Sequence, residues 1–525
     1  MGKRFSDELY LLIKSLKKAE KRNFKLFVKR NSSSGDLKII QLFDAIDNGD
    51  IYDEELFLKK YPGFNKQQIP NLKAHLYKQV LASLRVMRDE SNIDLQLHEQ
   101  LDFARILYNK GLHVQSLKML DKIKESAKEH NQLTFLLQVL IFEKKIEGLH
   151  ITRSIENRAA DLSKEVDEMG ERLVMIGKLS NLSLRLYDWY IHHGHARNQQ
   201  EADELKSFFE NNLPQGANFV NGFYERLYLY QCYCWYGYIR QDLLQYYRYC
   251  QKWVDLFETN ETMKLVEPLY YVKGMHNLLN AHFMLQNDEK FNKTLTDFEN
   301  FYQNEATIND NVQIQTFIYL YIAKINKHFL EGSFTEGVSL VPEIEEKLEE
   351  YKLQLDSHRI LVFYYKIASL YFGCGQIDKS IQYLNRIINR STPLRTDLQC
   401  YARLLHLIAH YELGNYELLE YLTKSVYRFM AKMQNLGIVE KEIFRFLRNS
   451  FYIQSKDMDK ALLELKENLK KHEHDKTEIR AYLYLDIISW LESKMRKLGP
   501  AQETIRLKYL QRQKENQKRH KNINQ

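Results

Sequence analysis

The residues best suited to binding chemistry lie between Phe223 and Phe257, in the stretch FYERLYLYQCYCWYGYIRQDLLQYYRYCQKWVDLF. Thirteen of these 35 residues are aromatic, against 13% for the whole chain. Tyrosine and tryptophan combine a large apolar area with a polar group, which suits them to contacts with partners. The alternative is an aromatic-rich core whose hydroxyl groups reach solvent. The residues predicted to bind a partner are Tyr224, Tyr228, Tyr230, Trp235, Tyr238, Arg240, Tyr246 and Arg248.

A second candidate for binding is a basic helix near the start of the chain. Its basic residues recur at helical spacing, opposite Phe24, Phe27 and Val28. Such a face can contact phosphates or an acidic partner, although lysine-rich helices are more often solvated surfaces. The segment that would have to read a DNA groove starts with acidic residues, Asp53-Glu54-Glu55, which argues against DNA. The residues predicted to contact a polyanion are Lys17, Lys18, Lys21, Arg22, Lys25 and Lys29.

No pattern typical of catalysis or metal binding occurs in the sequence. Walker, GxGxxG, GxSxG and kinase motifs are absent. Histidines cluster at 192–195 and at His406 with His410, but neither group has a cysteine or carboxylate at metal-ligand spacing. We therefore expect a protein that is not an enzyme, with no catalytic residue, no cofactor and no metal.

Composition indicates that long helices position these residues. Hydrophobic residues make up 44% of the chain, whereas proline and glycine, the main helix breakers, number only 7 and 20. No apolar run reaches 18 residues, so no membrane span is expected. The five cysteines are odd in number and irregularly spaced, which fits reduced thiols in a cytoplasmic protein.

Regularly spaced turns divide the middle of the chain into paired helices. The clearest pair runs from Ile360 to Pro393, with two apolar stripes separated by Gly375. Counting from it, the intervals between turns are 37–47 residues. The predicted turns lie near Gly111, Gly148, Gly194, Arg240, Asn287, Gly332, Gly375, Gly414 and Lys456. The regularity of the Ile360–Pro393 pair indicates packing, so we look for function elsewhere.

This pair resembles a tetratricopeptide repeat (TPR), which has a small residue and then an aromatic on its first helix, a glycine, and a small residue on its second. Those positions are Ala368, Tyr371, Gly375 and Ser380, with Leu384 and Ile387 as packing residues further on. A second match contains Ala104, Leu107, Gly111, Ser116 and Leu120. The resemblance implies stacked hairpins whose concave face binds extended peptides or partner helices.

Together these patterns predict an all-α fold, a right-handed TPR-like α-solenoid of about nine helical hairpins with a small N-terminal helical domain. The expected divisions are an N-terminal helical domain at 1–90, a hairpin array at 91–475, a capping helix at 476–499 and a basic polar tail at 500–525. We expect a scaffold or adaptor that binds a protein or peptide on the concave face. The alternative is a regulator whose basic N-terminal domain contacts nucleic acid while the solenoid senses a peptide or protein. Neither the identity of the partner nor the oligomeric state follows from the sequence.

Overall fold

The computed structural model describes residues 2–30, 36–49, 54–87, 92–150, 158–196, 198–304, 309–390, 396–433 and 436–523, the last range with short gaps between 474 and 485. These residues form helices and no strand, so the protein is all-helical over the part described. They divide into two compact units, one comprising residues 1–92 with 352–354 and the other the remainder. None of the described helices has the length and apolar character needed to cross a membrane.

The described part of the first unit contains five α-helices around a small apolar core. Phe24 of the second helix and Phe43 of the third are fully buried, with ring centroids 4.6 Å apart. Leu76 and Val80 of the fifth helix are fully buried in the same core. The helices are α1 (Gly2–Ser15), α2 (Lys18–Arg30), α3 (Asp36–Asn48), α4 (Glu54–Lys60) and α5 (Ile69–Val86).

The second unit contains the remaining helices, most of them about 12 to 17 residues long. The first of them are α6 (Ile93–Asn109), α7 (His113–Glu129), α8 (Leu133–Leu149), α9 (Arg158–His193), α10 (Gln199–Asn212), α11 (Phe223–Ile239), α12 (Leu243–Glu258), α13 (Thr262–Val266) and α14 (Pro268–Met284). They continue with α15 (Asp288–Asn304), α16 (Asp310–Glu331), α17 (Phe334–Val338), α18 (Val341–Glu350), α19 (Ser357–Gly373), α20 (Ile377–Ile388), α21 (Thr396–Glu412) and α22 (Tyr416–Lys432). The last are α23 (Ile438–Asn449), α24 (Met458–Lys470), α25 (Ile487–Arg496) and α26 (Ala501–Ile523).

Most helices of the second unit pack against neighbours in chain order. For example, α11 packs on α12, α12 on α14, α14 on α16, and α16 on α19. Each of the nine predicted turns lies at a helix end or in the segment between two helices. Five of the glycines at or near these turns are left-handed, with φ between 70° and 83° at Gly111, Gly194, Gly332, Gly375 and Gly414.

In two of the predicted turns, the left-handed residue is not the one named from the sequence. In the turn predicted near Asn287, the left-handed residue is Gln286, where φ is 51°. At the turn near Arg240 it is Gln241, with φ of 58°. In both, the next residue's N–H donates to a carbonyl five residues earlier, His282 and Gly237 respectively. This hydrogen bond, which closes the helix end, fixes the position of the left-handed residue even though glutamine is a poor residue for it.

The two hairpins that resemble the TPR pattern share one hydrogen bond. Ser380 Oγ donates to the carbonyl of Ala368, and Ser116 Oγ donates to the carbonyl of Ala104, both over 2.8 Å. All four residues are fully buried. A small side chain on each helix permits this close approach, so the small residues serve packing of the two helices.

Ser380→Ala should lower the free energy of unfolding by about 1 kcal/mol, because the change removes one buried hydrogen bond without creating a large cavity. The measurement is urea denaturation followed by circular dichroism. Ser369→Ala is the control, since Ser369 Oγ only donates to the Tyr365 carbonyl of its own helix, and its loss should cost a few tenths of a kcal/mol. An equal effect for both variants would contradict the role assigned to Ser380.

The final helix, α26, departs from packing in chain order, and it is more than the solvated tail that the sequence indicates. It packs on α16, α19 and α25. Thr504 is 1% exposed, and Ala501 and Ile505 are also buried. Further along, Arg512 donates to the carbonyl of Leu330 over 2.9 Å. The helix therefore lies across two earlier hairpins and belongs to the packed second unit.

Candidate functional site

A cavity of about 1030 Å³ lies inside the second unit. Its wall combines side chains from α9, α11, α14, α16 and α19 with others from α25 and α26. Helices α9, α11, α14, α16 and α19 thus face a common space, and α25 and α26 border it. The cavity is at the upper end of the range of about 300–1,000 Å³ for ligand sites.

One part of the wall is aromatic. The ring centroid of Trp235 is 5.3 Å from that of Tyr187 and 5.5 Å from that of Tyr190. Tyr238 continues this cluster, 5.4 Å from Tyr190 and 5.1 Å from Tyr246. Because these five rings touch one another across α9, α11 and α12, they form one continuous surface, here called the aromatic wall.

The structure places only some of the predicted partner-binding residues in the cavity wall. Trp235, Tyr238 and Tyr246 lie in the aromatic wall. Tyr224 and Tyr228 instead hydrogen-bond to neighbouring residues, Tyr224 to Glu267 over 2.7 Å and Tyr228 to Tyr270 over 2.9 Å. The ring centroid of Tyr230 lies 5.9 Å from the Lys252 ammonium. Arg240 donates to the Tyr236 hydroxyl over 2.9 Å, and Arg248 is exposed. The aromatic surplus therefore serves both hairpin packing and the cavity.

A second part of the wall is basic. Lys273 and His276 extend from α14, and Arg359 and Lys366 from α19. The His276 ring stacks on Tyr319 of α16 with centroids 4.2 Å apart, and Lys273 Nζ is 5.2 Å from the centroid of the same ring. Lys366 Nζ donates to Asn326 Oδ1 over 2.6 Å. We call Lys273, Arg359 and Lys366 the cationic cluster.

The protonation states in this region follow from burial. Burial, and after it the charges of Lys273, Lys366 and Arg359, hold the pKa of His276 well below its ordinary value. His276 is therefore neutral at pH 7. Burial lowers the pKa of Lys366 to about 8, which still leaves its ammonium charged at pH 7.

The basic residues of the site were not among those predicted from the sequence, although one signal was present. Lys366 is the only charged residue in the run ILVFYYKIASLYF, where every other position suits a buried helix. It lies in the Ile360–Pro393 pair, which we interpreted as packing alone. Lys273 and His276 lie three positions apart on α14, a spacing too common in helices to indicate a site.

Near the end of the chain the cavity wall contains a compensated charge network. Glu492 accepts from Lys466 over 2.9 Å and from Lys508 of α26 over 3.0 Å. Burial raises the pKa of Glu492, but these hydrogen bonds and charges outweigh burial and lower it to about 2. This carboxylate therefore holds α26 in place and stays ionised at physiological pH.

The basic helix of the first unit pairs with acidic residues beside it. Lys21 forms an ion pair with Asp47 over 2.6 Å, and Lys25 pairs with Asp44 over 2.7 Å. Lys17, Lys18, Arg22 and Lys29 are exposed. Because carboxylates of α3 offset part of the positive charge, this face offers less attraction to a polyanion than its sequence indicates, and we do not propose nucleic-acid contact for it.

The histidines and cysteines considered in the sequence lie apart from any metal-ligand set. His406 and His410 contact each other, with their Nε2 atoms 3.2 Å apart. Among the described residues, no group of three or more potential ligands is close enough to hold an ion. All five cysteines are free thiols, and Cys234 and Cys250 pack with their sulfurs 3.6 Å apart.

Comparison with known proteins gives no relative from which a role for these residues can be transferred. No protein-family model matches the chain, and no curated protein sequence is significantly similar to it.

Proposed function

We propose that the chain is a non-enzymatic TPR-like α-solenoid that binds a short peptide, or an extended segment of a partner protein, in its central cavity. Three observations support the repeated architecture. Helices pack in chain order, the predicted turns coincide with helix ends, and Ser380 and Ser116 make equivalent buried hydrogen bonds. About nine right-handed hairpins would account for the spacing of the turns.

The observation that carries the binding proposal is the cavity lined by successive first helices. Its volume of about 1030 Å³ suits a short extended chain, whereas a folded partner would require an open surface. The aromatic wall provides apolar contact area. Asn277, Asn280 and Asn326 also line the cavity, and side-chain amides can pair with both the N–H and the C=O groups of a peptide backbone.

Site-specific photo-crosslinking tests this proposal. Benzoylphenylalanine in place of Trp235 should crosslink a peptide or protein segment in cells that produce the protein, identified by mass spectrometry. The control places the same amino acid at Leu244 of α12, which is 70% exposed and lies outside the cavity wall. Crosslinking at Trp235 and not at Leu244 supports the proposal. Equal products at both positions, or none at Trp235, would refute it.

A further inference from the structure

The cationic cluster should make the cavity prefer negatively charged ligands. Lys273 of α14 and Arg359 and Lys366 of α19 all line the cavity. Burial first, and then the charges of these three residues, lower the pKa of His276. The three cations therefore lie within electrostatic range of the same ring. His276 itself is neutral there, so it adds a hydrogen-bonding ring nitrogen rather than charge.

Among the described residues, the carboxylates that line the cavity pair with Arg359 but with neither lysine of this cluster. Asp356 lies 3.4 Å from Arg359, Glu492 is held by Lys466 and Lys508, and Asp486 accepts from the N–H of Ser489 at the start of α25. Glu473, the fourth, is exposed. Within the described part of the chain, no carboxylate contributes to the pKa of His276 or Lys366. Lys366 thus has no acidic partner among the described residues, and its ammonium donates to Asn326. The described contact of the Lys273 ammonium is with the Tyr319 ring.

We infer that the cavity selects peptides of net negative charge, with aspartate or glutamate side chains against Lys273 and Lys366 and an apolar residue against the aromatic wall. This inference rests on the proposed function, since it names the class of peptide. A small free anion would satisfy the cations alone, whereas the cavity also presents the aromatic wall. A peptide can occupy both parts.

The test uses an equimolar pool of short synthetic peptides matched in apolar content and graded in net charge from strongly negative to strongly positive. The full-length protein is immobilised, and retained peptides are quantified by mass spectrometry. We expect acidic peptides to be enriched, and Lys366→Gln to weaken their affinity about 30-fold, as is typical when one partner of a desolvated charge pair is lost. Lys293→Gln is the control, because Lys293 is exposed on α15 outside the cavity wall.

The outcomes separate this inference from the proposed function. If peptides of no charge class are retained, the peptide-binding function itself is wrong. If peptides are retained without regard to charge, or if Lys366→Gln and Lys293→Gln behave alike, the peptide-binding function stands and the acidic selection fails. Displacement of acidic peptides by equimolar free glutamate or inorganic phosphate would assign the cluster to a small anion instead. Lys273→Gln provides a second variant, and melting curves establish that each variant is folded.

Discussion

Gly332→Ala should release the C-terminal helix α26 and lower the free energy of unfolding by roughly 3–5 kcal/mol. Gly332 ends α16 with φ of 71°, which strains any residue with a side chain. A Cβ atom at this position would lie 2.4 Å from the backbone nitrogen of Arg506 and 2.7 Å from its Cα. Backbone atoms cannot rotate away, so the clash can be relieved only by moving α26.

Gly414→Ala is a matched control for this substitution. Gly414 ends α21 with φ of 70°, nearly the same as Gly332. Among the described residues, the only atom within 4 Å of an added Cβ is Cε2 of Tyr416, at 3.8 Å. Gly414→Ala should therefore lower the free energy of unfolding by about 1–2 kcal/mol through backbone strain alone, without a steric clash. The difference between the two variants therefore measures the contact with α26.

Limited trypsin digestion gives the second readout for Gly332→Ala. In the native protein, α26 is held by buried Thr504 and Ile505 and by the ion pair of Lys508 with Glu492. Release of the helix should expose the bonds after Arg506 and Lys508, and cleavage there should become much faster than in Gly414→Ala. Equal digestion and equal stability of the two variants would show that the approach of Gly332 to α26 contributes nothing to docking.

The sequence predicted the helical class and the turn positions because these depend on local chemistry. Glycine at Gly111, Gly332, Gly375 and Gly414 permits the left-handed geometry of a helix end, and that requirement is readable one residue at a time. Gln286 was missed because neither glutamine nor its neighbour Asn287 has so strong a preference. The backbone hydrogen bond of the complete turn decides between them.

The cavity could not be predicted in the same way, because its residues are distant in sequence. Tyr190, Trp235, Lys273, Tyr319 and Lys366 come together only when five helices are packed. The docking of α26 depends on contacts such as Arg512 with Leu330, a separation of 182 residues. The basic residues of α2 are visible in the sequence, but only packing pairs Lys21 and Lys25 with the protein's own carboxylates.

Lys366 can be noticed in the sequence, because it is a lone lysine in an apolar helix. The structure shows the free energy that its burial costs. Burial lowers its pKa from 10.5 to about 8, a difference that corresponds to about 3 kcal/mol. The folded state thus disfavours the charged form, which the unfolded state solvates freely. A residue that destabilises the fold and lies in a cavity is a candidate for binding rather than packing.

Lys366→Met should therefore stabilise the protein at pH 7, by about 2 kcal/mol after allowing for the hydrogen bond to Asn326 that it removes. Below pH 8 the lysine is protonated in both the folded and the unfolded state, so the wild-type protein bears the full cost. Between about pH 8 and 10.5 the folded protein releases this proton while the unfolded chain keeps it, and wild-type stability rises relative to the variant. The advantage of Lys366→Met should accordingly shrink as pH increases through this window.

Urea denaturation of both proteins from pH 6.5 to 10 measures this difference directly, because groups that titrate alike in both proteins cancel. Lys293→Met serves as the control. Lys293 is exposed on α15, so its replacement should change the free energy of unfolding by no more than about 0.5 kcal/mol at every pH. Loss of stability in Lys366→Met at pH 7, or a gain that does not vary with pH, would mean that the Lys366 ammonium is compensated in the folded protein. It would then be a structural ion rather than the unpaired cation that an acidic ligand requires. A pH-dependent gain would instead show that the fold bears the cost of this charge in the absence of a ligand, and that an acidic ligand could recover it on binding.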